Sequence, residues 1–303
     1  MYRDFIGVCV FIGFFMGCGV PQPMKTEPKE SPEASSDETV LTDVGDKEIP
    51  SEVQEPSGIS SEKPFSLSQK PLIISGESSF PFAIGEQLEY EVTWFGIQAG
   101  TILMEVIQPE DDSLYLFRVY IQSSPGFSVF YRINDLMEIF VDKKTLLPSR
   151  IVLHRDEGRR RGIEETFFYR DRGEVEVLKE GERKGYAIPP EARDGISAIY
   201  LSRMASWGSG GSIRIPVFSN KKTYEIEVKA LRKERIKTLW GETETLVVLP
   251  EVWDHGKKQE KGEVYFWLTE DSHQVPVQIR GKVKIGSLFL RLKNYRVSEE
   301  DAS

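Results

Sequence analysis

The side chains best suited to catalysis or metal binding do not form a recognisable motif. The three histidines, His154, His255 and His273, lie far apart, and no HExxH motif occurs. The chain also lacks a GxSxG nucleophile elbow, and its glycine-rich run at 208–211 lacks the lysine of a phosphate-binding loop. We therefore predict no catalytic residue, no metal site and no cofactor, and we interpret the histidines as surface residues of turns.

Carboxylates are abundant, but their positions do not indicate an acid–base pair. Glu89, Glu91, Glu164 and Glu165 fall on strand faces that we expect to face solvent. General acid–base catalysis would need two of them in one cleft, which the sequence does not predict. We expect a protein that is not an enzyme, with a hydrolytic enzyme as a remote alternative.

Aromatic residues are the more informative group. The aromatic residues predicted to point to the inside of a β-rich domain are Tyr90, Trp94, Tyr115, Phe117, Phe140, Phe168 and Phe266 from the strands and Tyr200 from the helix. Of these, the possible ligand-lining residues are Tyr90, Trp94, Phe117, Phe140 and Tyr200. The favoured interpretation is a packed aromatic core. The alternative is a partly hollow barrel whose aromatic residues line a site for an acyl chain, with a helix as its lid.

The two cysteines both lie near the N-terminus. An apolar run from Phe5 to Met16 is too short to span a bilayer and has the length of a signal-peptide core. It ends in Gly17-Cys18, which resembles the lipobox of bacterial lipoproteins, where the cysteine is acylated and becomes the new N-terminus. Cys18 is thus the predicted lipidation site, and Cys9 would be removed with the signal peptide.

The segment after Cys18 has the composition of a disordered tether. Gly19 to Pro64 contains no aromatic residue, seven prolines, eleven acidic residues and four basic residues. Removing these seven net negative charges from the chain's −9 leaves −2, so no basic surface for nucleic acid is predicted. The one dense basic cluster, residues 159–161, indicates a solvated hairpin turn or, alternatively, a contact with a headgroup or phosphate.

Period-two alternation of apolar and polar residues dominates the rest of the chain and predicts β-strands. Alternate residues from Leu88 to Trp94 share one face, and Gly96 and Gly100 bracket the turn that follows. The other strands are predicted at residues 101–107, 115–122, 127–133, 136–142, 149–154, 164–169, 174–179, 212–218, 224–232, 235–239, 243–249, 263–269, 275–279 and 287–295.

One segment has helical spacing instead. Ile196, Ile199, Tyr200 and Met204 recur at intervals of three and four, two prolines precede them, and Asp194 is the predicted N-cap. We predict one amphipathic helix of three turns. The domains expected are a signal peptide at 1–18, a tether at 19–79, a β-rich domain at 80–298 and a disordered tail at 299–303.

These patterns predict a mostly β fold, namely an antiparallel curved sheet forming a half-open barrel or a sandwich, with one amphipathic helix. A parallel sheet would need crossover helices, and only one helix is predicted. We favour a strongly curved sheet with the helix across its mouth. Two β subdomains joined by the helix are the alternative.

The chain resembles the domain of unknown function 3108 family of exported bacterial proteins. The resemblance rests on motifs that occur in the family's order from residue 84 to residue 295, although Gly195 stands where many members have proline. The motifs are IGEQLEYEVTW at 84–94, GIQAG at 96–100, Asp142 with LLP at 146–148, DGISAIYLSR at 194–203, WLTED at 267–271 and PV at 276–277. The resemblance implies export and a β-rich fold, and it implies no activity.

Taken together, these features lead us to expect a non-enzymatic envelope lipoprotein that binds a hydrophobic or lipidic ligand or a lipoprotein. By analogy of fold, a tethered curved sheet with one helix resembles the lipoprotein carriers of the bacterial envelope. An envelope scaffold or protein-interaction module without a small ligand is the alternative. Because Gly19 and not Asp follows Cys18, we expect anchoring in the outer membrane, facing the periplasm. The sequence does not predict the oligomeric state.

Overall fold

Alternation of buried and exposed side chains along most strands builds one antiparallel sheet. The computed structural model describes residues 80–208, 210–259, 262–282 and 287–297, which lie within one compact unit. Cys18 and the predicted signal peptide, tether and tail lie outside the described residues, so the predicted domain boundaries stay predictions. In the part of the chain that is described, no helix has the length and apolar composition needed to cross a membrane.

The described residues form fifteen strands and two short helices. The helices are α1 (Pro125–Ser128) and α2 (Gly195–Ser202). The strands are β1 (Gln87–Trp94), β2 (Ile97–Ile107), β3 (Leu114–Ser123), β4 (Asn134–Asp142), β5 (Pro148–Glu157), β6 (Arg160–Tyr169), β7 (Glu174–Lys179), β8 (Glu182–Ala187), β9 (Ser212–Ser219), β10 (Lys222–Thr238), β11 (Gly241–Asp254), β12 (Lys257–Lys258), β13 (Val264–Thr269), β14 (Pro276–Lys282) and β15 (Ser287–Arg296).

All named strands belong to one sheet, in the order β8-β7-β6-β5-β4-β3-β2-β1-β15-β14-β13-β11-β10-β9, with the short β12 paired to β11. The first and last strands, β1 and β15, are therefore neighbours in the middle of the sheet. The predicted fold class is confirmed: the protein is mostly β, with one large antiparallel sheet that does not close. The alternative of two β subdomains is wrong, because one sheet contains every strand.

The two ends of the sheet approach each other through residues 188–194, which we call the closing segment. Arg193 N–H donates to the carbonyl oxygen of Pro216 at 2.8 Å, and Phe218 N–H donates to that of Arg193 at 2.7 Å. A small apolar cluster joins β6, β7, the closing segment and β9; it comprises Phe168, Val175, Val177, Ile188, Ala192 and Phe218. The sheet thus curls into a half-open barrel, and the main core fills its inside.

The structure differs from the sequence predictions at several turns and strand ends. The predicted strand at 127–133 is wrong, because Pro125 starts the one-turn helix α1, with Ser124 as its N-cap, and an irregular connection follows. Gly100 does not bracket the first turn: it lies inside β2, where a Cβ atom would collide with the carbonyl oxygen of Gln122. Strand β8 was not predicted, and the two strands predicted at 224–232 and 235–239 are one continuous strand, β10 (Lys222–Thr238).

Helix α2 begins where the sequence predicts. Both backbone N–H groups of Ile196 and Ser197 donate to Asp194 Oδ1, at 2.8 and 3.1 Å, so Asp194 is the N-cap. The helix has eight residues, fewer than the three turns predicted, and six of the eight are buried. It is therefore buried on most sides against the inner face of the sheet, and does not present the wide polar face expected of an amphipathic helix.

Candidate functional site

Small residues on one side of α2 leave space against the sheet. Gly195, Ala198 and Ser202 are spaced by three and four residues and so share a side of the helix with Ile199. A leucine or phenylalanine at these positions would fill the interior. Because the side chains are small, the sheet beneath them stays partly uncovered.

The uncovered surface is an apolar pocket between α2 and four strands of the C-terminal half of the sheet. Each strand contributes two residues spaced by two, as expected for one face of a strand. Its empty volume is about 540 Å³, which includes space open to solvent. The lining residues are Gly195, Ala198, Ile199 and Ser202 from the helix, and Ile215, Val217, Ile226, Val228, Val248, Pro250, Phe266 and Leu268 from the sheet.

The chemistry of this pocket is almost purely apolar. None of its lining side chains is charged, and its one hydroxyl, Ser202 Oγ, donates to the Ile199 carbonyl oxygen at 2.7 Å. Since the pocket has no charged group for a polar substrate, it suits a hydrocarbon chain or an apolar side chain. Nothing in its lining could act as a nucleophile with an adjacent base.

Four of the five aromatic residues predicted to line a ligand site pack in the N-terminal half of the sheet, away from this pocket. Phe117 and Tyr200 stack with ring centroids 4.1 Å apart, and the Tyr90 hydroxyl donates to the Pro276 carbonyl oxygen at 2.8 Å. Trp94 is half-buried at the end of β1, edge-on to Phe127 at 6.0 Å. None of these residues lines the pocket, and a lining role for them stays a prediction.

Phe140 is placed on the wrong face by the prediction. Its neighbours Ile139 and Val141 are fully buried, so the alternation of β4 turns Phe140 to the outer face. There it is half-buried, with the guanidinium of Arg150 5.9 Å from the ring centroid. The expectation that Phe140 points inward is therefore wrong.

A buried ion pair fixes α2 relative to β1. Arg203, the C-cap of α2, donates two hydrogen bonds to the Glu86 carboxylate, at 2.8 and 2.7 Å, and neither side chain is exposed to solvent. The same guanidinium donates to the carbonyl oxygens of Pro81 and His273, and the Tyr295 hydroxyl donates to Glu86. Burial disfavours the charge, but the Glu86 carboxylate outweighs it, so the pKa of Arg203 is raised.

The tyrosines beside this pair are held neutral. Burial raises the pKa of both Tyr90 and Tyr200 well above the usual value, with a further contribution from the negative charge of Glu86. The Tyr200 hydroxyl has no hydrogen-bond partner among the described residues. The two tyrosines therefore offer no base near neutral pH, and the geometry of the cluster is that of a structural brace.

The three histidines remain apart. His154 lies within β5, half-buried, so it is not a turn residue as predicted. His255 is in an exposed turn, and His273 lies in the turn before β14 with its Nδ1 3.3 Å from the Pro81 carbonyl oxygen. Within the described ranges, no group of three or more histidine, cysteine or acidic residues is arranged to hold a metal ion.

The sequence predicted that Phe266 points inward, as it does in the pocket lining, but the pocket itself was not predicted. One signal for it was present. Three small residues, Gly195, Ala198 and Ser202, recur on one side of a helix whose other positions, apart from Ser197, are large. Such spacing indicates either close packing or free space, and only the fold decides between them.

Comparison with one solved structure supports the fold. The chain is similar to a β-barrel-like protein of the domain of unknown function DUF1849 from Brucella abortus, with 8% identity and a TM-score of 0.54, over 72% of this chain and 99% of that one. It is also similar, with 15% identity and a TM-score of 0.27, to a protein from Bacteroides fragilis that is described as a putative exported protein with a YmcC-like fold. That similarity covers 72% of this chain and 98% of the other chain. No curated protein matches the chain.

A family model described as protein of unknown function (DUF3108) matches residues 89–293, more than half of the chain. The match runs from β1 to β15 and so includes α2 and the pocket. It confirms the family resemblance of the sequence motifs, while lipoprotein membership stays a prediction. The chain belongs to the DUF3108 family of proteins of unknown function.

Proposed function

We propose that the protein is an exported, membrane-anchored envelope lipoprotein that binds a hydrophobic or lipidic ligand, or an acylated partner protein, without catalysis. The observation that supports ligand binding is the apolar pocket beside α2, which is lined by twelve residues, none of them charged. Binding in such a pocket removes the apolar surface of a hydrocarbon chain from water, which is favourable, and it requires no particular headgroup.

The pocket can be tested with a photoactivatable fatty acid added to the full-length protein in nanodiscs. Crosslinks should map by mass spectrometry to α2 and to β9, β10, β11 and β13. Ala198→Leu places a larger side chain in the pocket and should reduce these crosslinks about tenfold or more. The matched control, Ala187→Leu, makes the same change at an exposed position on β8 and should leave them unchanged.

Two results would contradict ligand binding in the pocket. One is an absence of crosslinks to these elements in the unchanged protein. The other is equal crosslinking of the Ala198→Leu protein when its thermal midpoint shows that it is folded. A specific protein partner recovered by crosslinking in cells, together with an empty pocket, would favour the interaction module instead.

The lipid anchor is supported by the lipobox resemblance at Gly17-Cys18 and by the apolar run before it. Acyl chains contribute ~0.8 kcal/mol per buried methylene, so acylation at Cys18 would hold the protein on a membrane. Cys18→Ser should abolish incorporation of labelled palmitate and block processing of the precursor. Labelling that persists in this variant would exclude Cys18 as the acylated residue. Recovery of the unchanged protein with the inner membrane would contradict only the proposed outer-membrane placement.

A further inference from the structure

Three connections meet at one end of the sheet: the β1–β2 turn, the β3–β4 connection with α1, and the β5–β6 turn. Ser124 joins the β3–β4 connection to the start of β2, directly after the β1–β2 turn, because its backbone N–H donates to the Ala99 carbonyl oxygen and its hydroxyl donates to that of Gln98, both at 2.8 Å. Gly158 N–H donates to the Arg132 carbonyl oxygen at 2.8 Å and so joins the last two. The three connections therefore form one continuous surface.

Large apolar side chains project from this surface. The exposed fractions are 57% for Phe95, 66% for Ile97, 82% for Val129 and 80% for Phe130. We call these four residues the apolar tip. Single exposed apolar residues are common, but four on two joined connections form a patch of the kind that binds a membrane or a partner.

The backbone conformation of Phe95 is unfavourable for a bulky side chain. Trp94 pairs with Ile97, so Phe95 and Gly96 form a two-residue turn, and both have positive φ, at 51° and 76°. Asn and Gly are favoured in such turns, whereas a bulky residue with positive φ is strained. Phe95 is therefore poorly suited to its turn, and more than half of its side chain is exposed although its ring lies 5.1 Å from that of Trp94, which indicates a role outside the fold.

Arginines lie beside the apolar tip. Arg159 in the β5–β6 turn and Arg160, the first residue of β6, are exposed and make no ion pair with any described residue. Arg132 and Arg161 share the carboxylate of Asp156, at 2.6 and 2.9 Å. These four arginines share a single carboxylate, so this group of residues has an excess of positive charge, although the whole chain has a net charge of −9.

We propose that the apolar tip inserts into the interface of a bilayer that contains anionic lipids, while Arg159 and Arg160 contact the lipid phosphates. A bilayer offers hydrocarbon just beneath a layer of negative charge, and the tip presents apolar side chains next to guanidinium groups in the matching arrangement. This contact is independent of the pocket beside α2 and of acylation at Cys18.

Hydrogen–deuterium exchange of the full-length protein tests the contact locally, so membrane binding through another part of the chain does not obscure it. Exchange is compared on phosphatidylcholine vesicles with and without phosphatidylglycerol. With phosphatidylglycerol, the amides of residues 95–99, 126–132 and 158–161 should exchange several-fold more slowly. Added salt should reduce this protection, because it screens exposed charges.

Three variants and a control separate the contributions of the apolar residues and of the arginines to this protection. Phe95→Asn improves the turn chemistry and so keeps the fold, yet it should reduce the protection. Phe130→Ser should reduce it through lost apolar contact, and Arg159→Glu with Arg160→Glu should abolish it. Leu231→Ser removes another exposed apolar side chain, on β10, and should leave the protection unchanged.

The proposal is overturned if the three segments exchange at the same rate with and without phosphatidylglycerol. It is also overturned if protection appears without lipid and rises with protein concentration, since the tip would then bind a second copy of the chain. Protection that survives both Phe95→Asn and Phe130→Ser would likewise exclude the apolar tip as the contact.

Discussion

At the scale of single residues, the most consequential contact is the ion pair between Glu86 and Arg203. The two residues are 117 positions apart, and both are fully buried. A buried ion pair of this kind adds little net stability compared with apolar packing, but removing one partner leaves a buried charge uncompensated. Its value here is positional, because it sets where the end of α2 meets the start of β1.

Arg203→Met should therefore lower the free energy of unfolding by about 3–5 kcal/mol. The loss arises because the Glu86 carboxylate stays buried without its cation. Adding Glu86→Gln to this variant should restore much of the stability, since the buried charge is then removed. Urea unfolding curves of the single and double variants measure both effects. A single variant as stable as the unchanged protein would show that Glu86 can reach solvent.

A second buried carboxyl group makes stability depend on pH. Burial raises the pKa of Asp135 to about 7; the hydrogen bond from the Asp156 backbone N–H lowers it, and the neighbouring Glu157 raises it. The folded protein thus keeps a proton that the unfolded chain releases near pH 4. The free energy of unfolding should fall as the pH rises from about 4 to about 7.

Asp135→Asn should flatten this part of the pH profile, because an amide resembles the protonated carboxyl group and does not titrate. Urea unfolding at several pH values across the window gives the comparison. Asp112→Asn, in the exposed β2–β3 turn, is the matched control and should keep the profile of the unchanged protein. If Asp135→Asn also keeps that profile, another group carries the pH dependence.

At the scale of elements, strands with one apolar face could be predicted well. In β1, Leu88, Tyr90 and Val92 are buried as the alternation predicts, since the pleat sends alternate residues to opposite faces. The start of α2 was equally clear, because an aspartate that precedes a helical pattern can accept hydrogen bonds from the free N–H groups. In both cases a local rule decides the local structure.

Predictions were wrong where a local sequence pattern was compatible with two structures. Residues 136–141 are apolar at five of six positions, so alternation cannot decide which face is inside, and Phe140 was assigned to the wrong one. Residues 127–133 are rich in aromatic and β-branched residues, which favour strands. The neighbouring Ser124 and Pro125 nevertheless start a helix. It is stabilised because the Ser124 hydroxyl accepts from the Phe127 N–H and the Ser128 hydroxyl donates to the Ser124 carbonyl oxygen.

The pocket could not be predicted, because it depends on contacts between distant segments. Its walls come from α2 and from strands that lie between residues 212 and 269. Periodicity shows that each wall is apolar, but it does not show that small helix residues face the strands across free space. Which strands face the helix depends on the order of the strands in the sheet, and short-range sequence patterns do not encode that order.

At the scale of the whole molecule, Arg170 holds the closing segment against the sheet. Its guanidinium donates to the carbonyl oxygens of Pro190, Ala192 and Pro148, at 2.9, 2.7 and 2.7 Å. It also lies 4.7 Å from the centroid of the Phe168 ring, within the apolar cluster that joins the two ends of the sheet. Burial lowers the pKa of Arg170 to about 10, with a contribution from Arg193, so the side chain stays charged at neutral pH.

Arg170→Met should loosen this junction, because three carbonyl groups lose their donor while the apolar contact is largely kept. We expect a loss of about 1–3 kcal/mol and faster hydrogen exchange in residues 188–193. Arg172→Met is the control, since that side chain is about half exposed and lies over Tyr169. Unchanged exchange in residues 188–193 would show that Val217 and its neighbours alone hold the segment.

The pairing of β1 with β15 also has a consequence for synthesis. Gln87 and Arg296 are partners, so the middle of the sheet joins segments about 200 residues apart. While the chain is being made, β1 lacks one neighbour until the final strand has left the ribosome. Closing so long a loop is slow, and the unfinished sheet keeps unpaired edges. The sheet of such a chain can therefore be completed only after β15 has been translated.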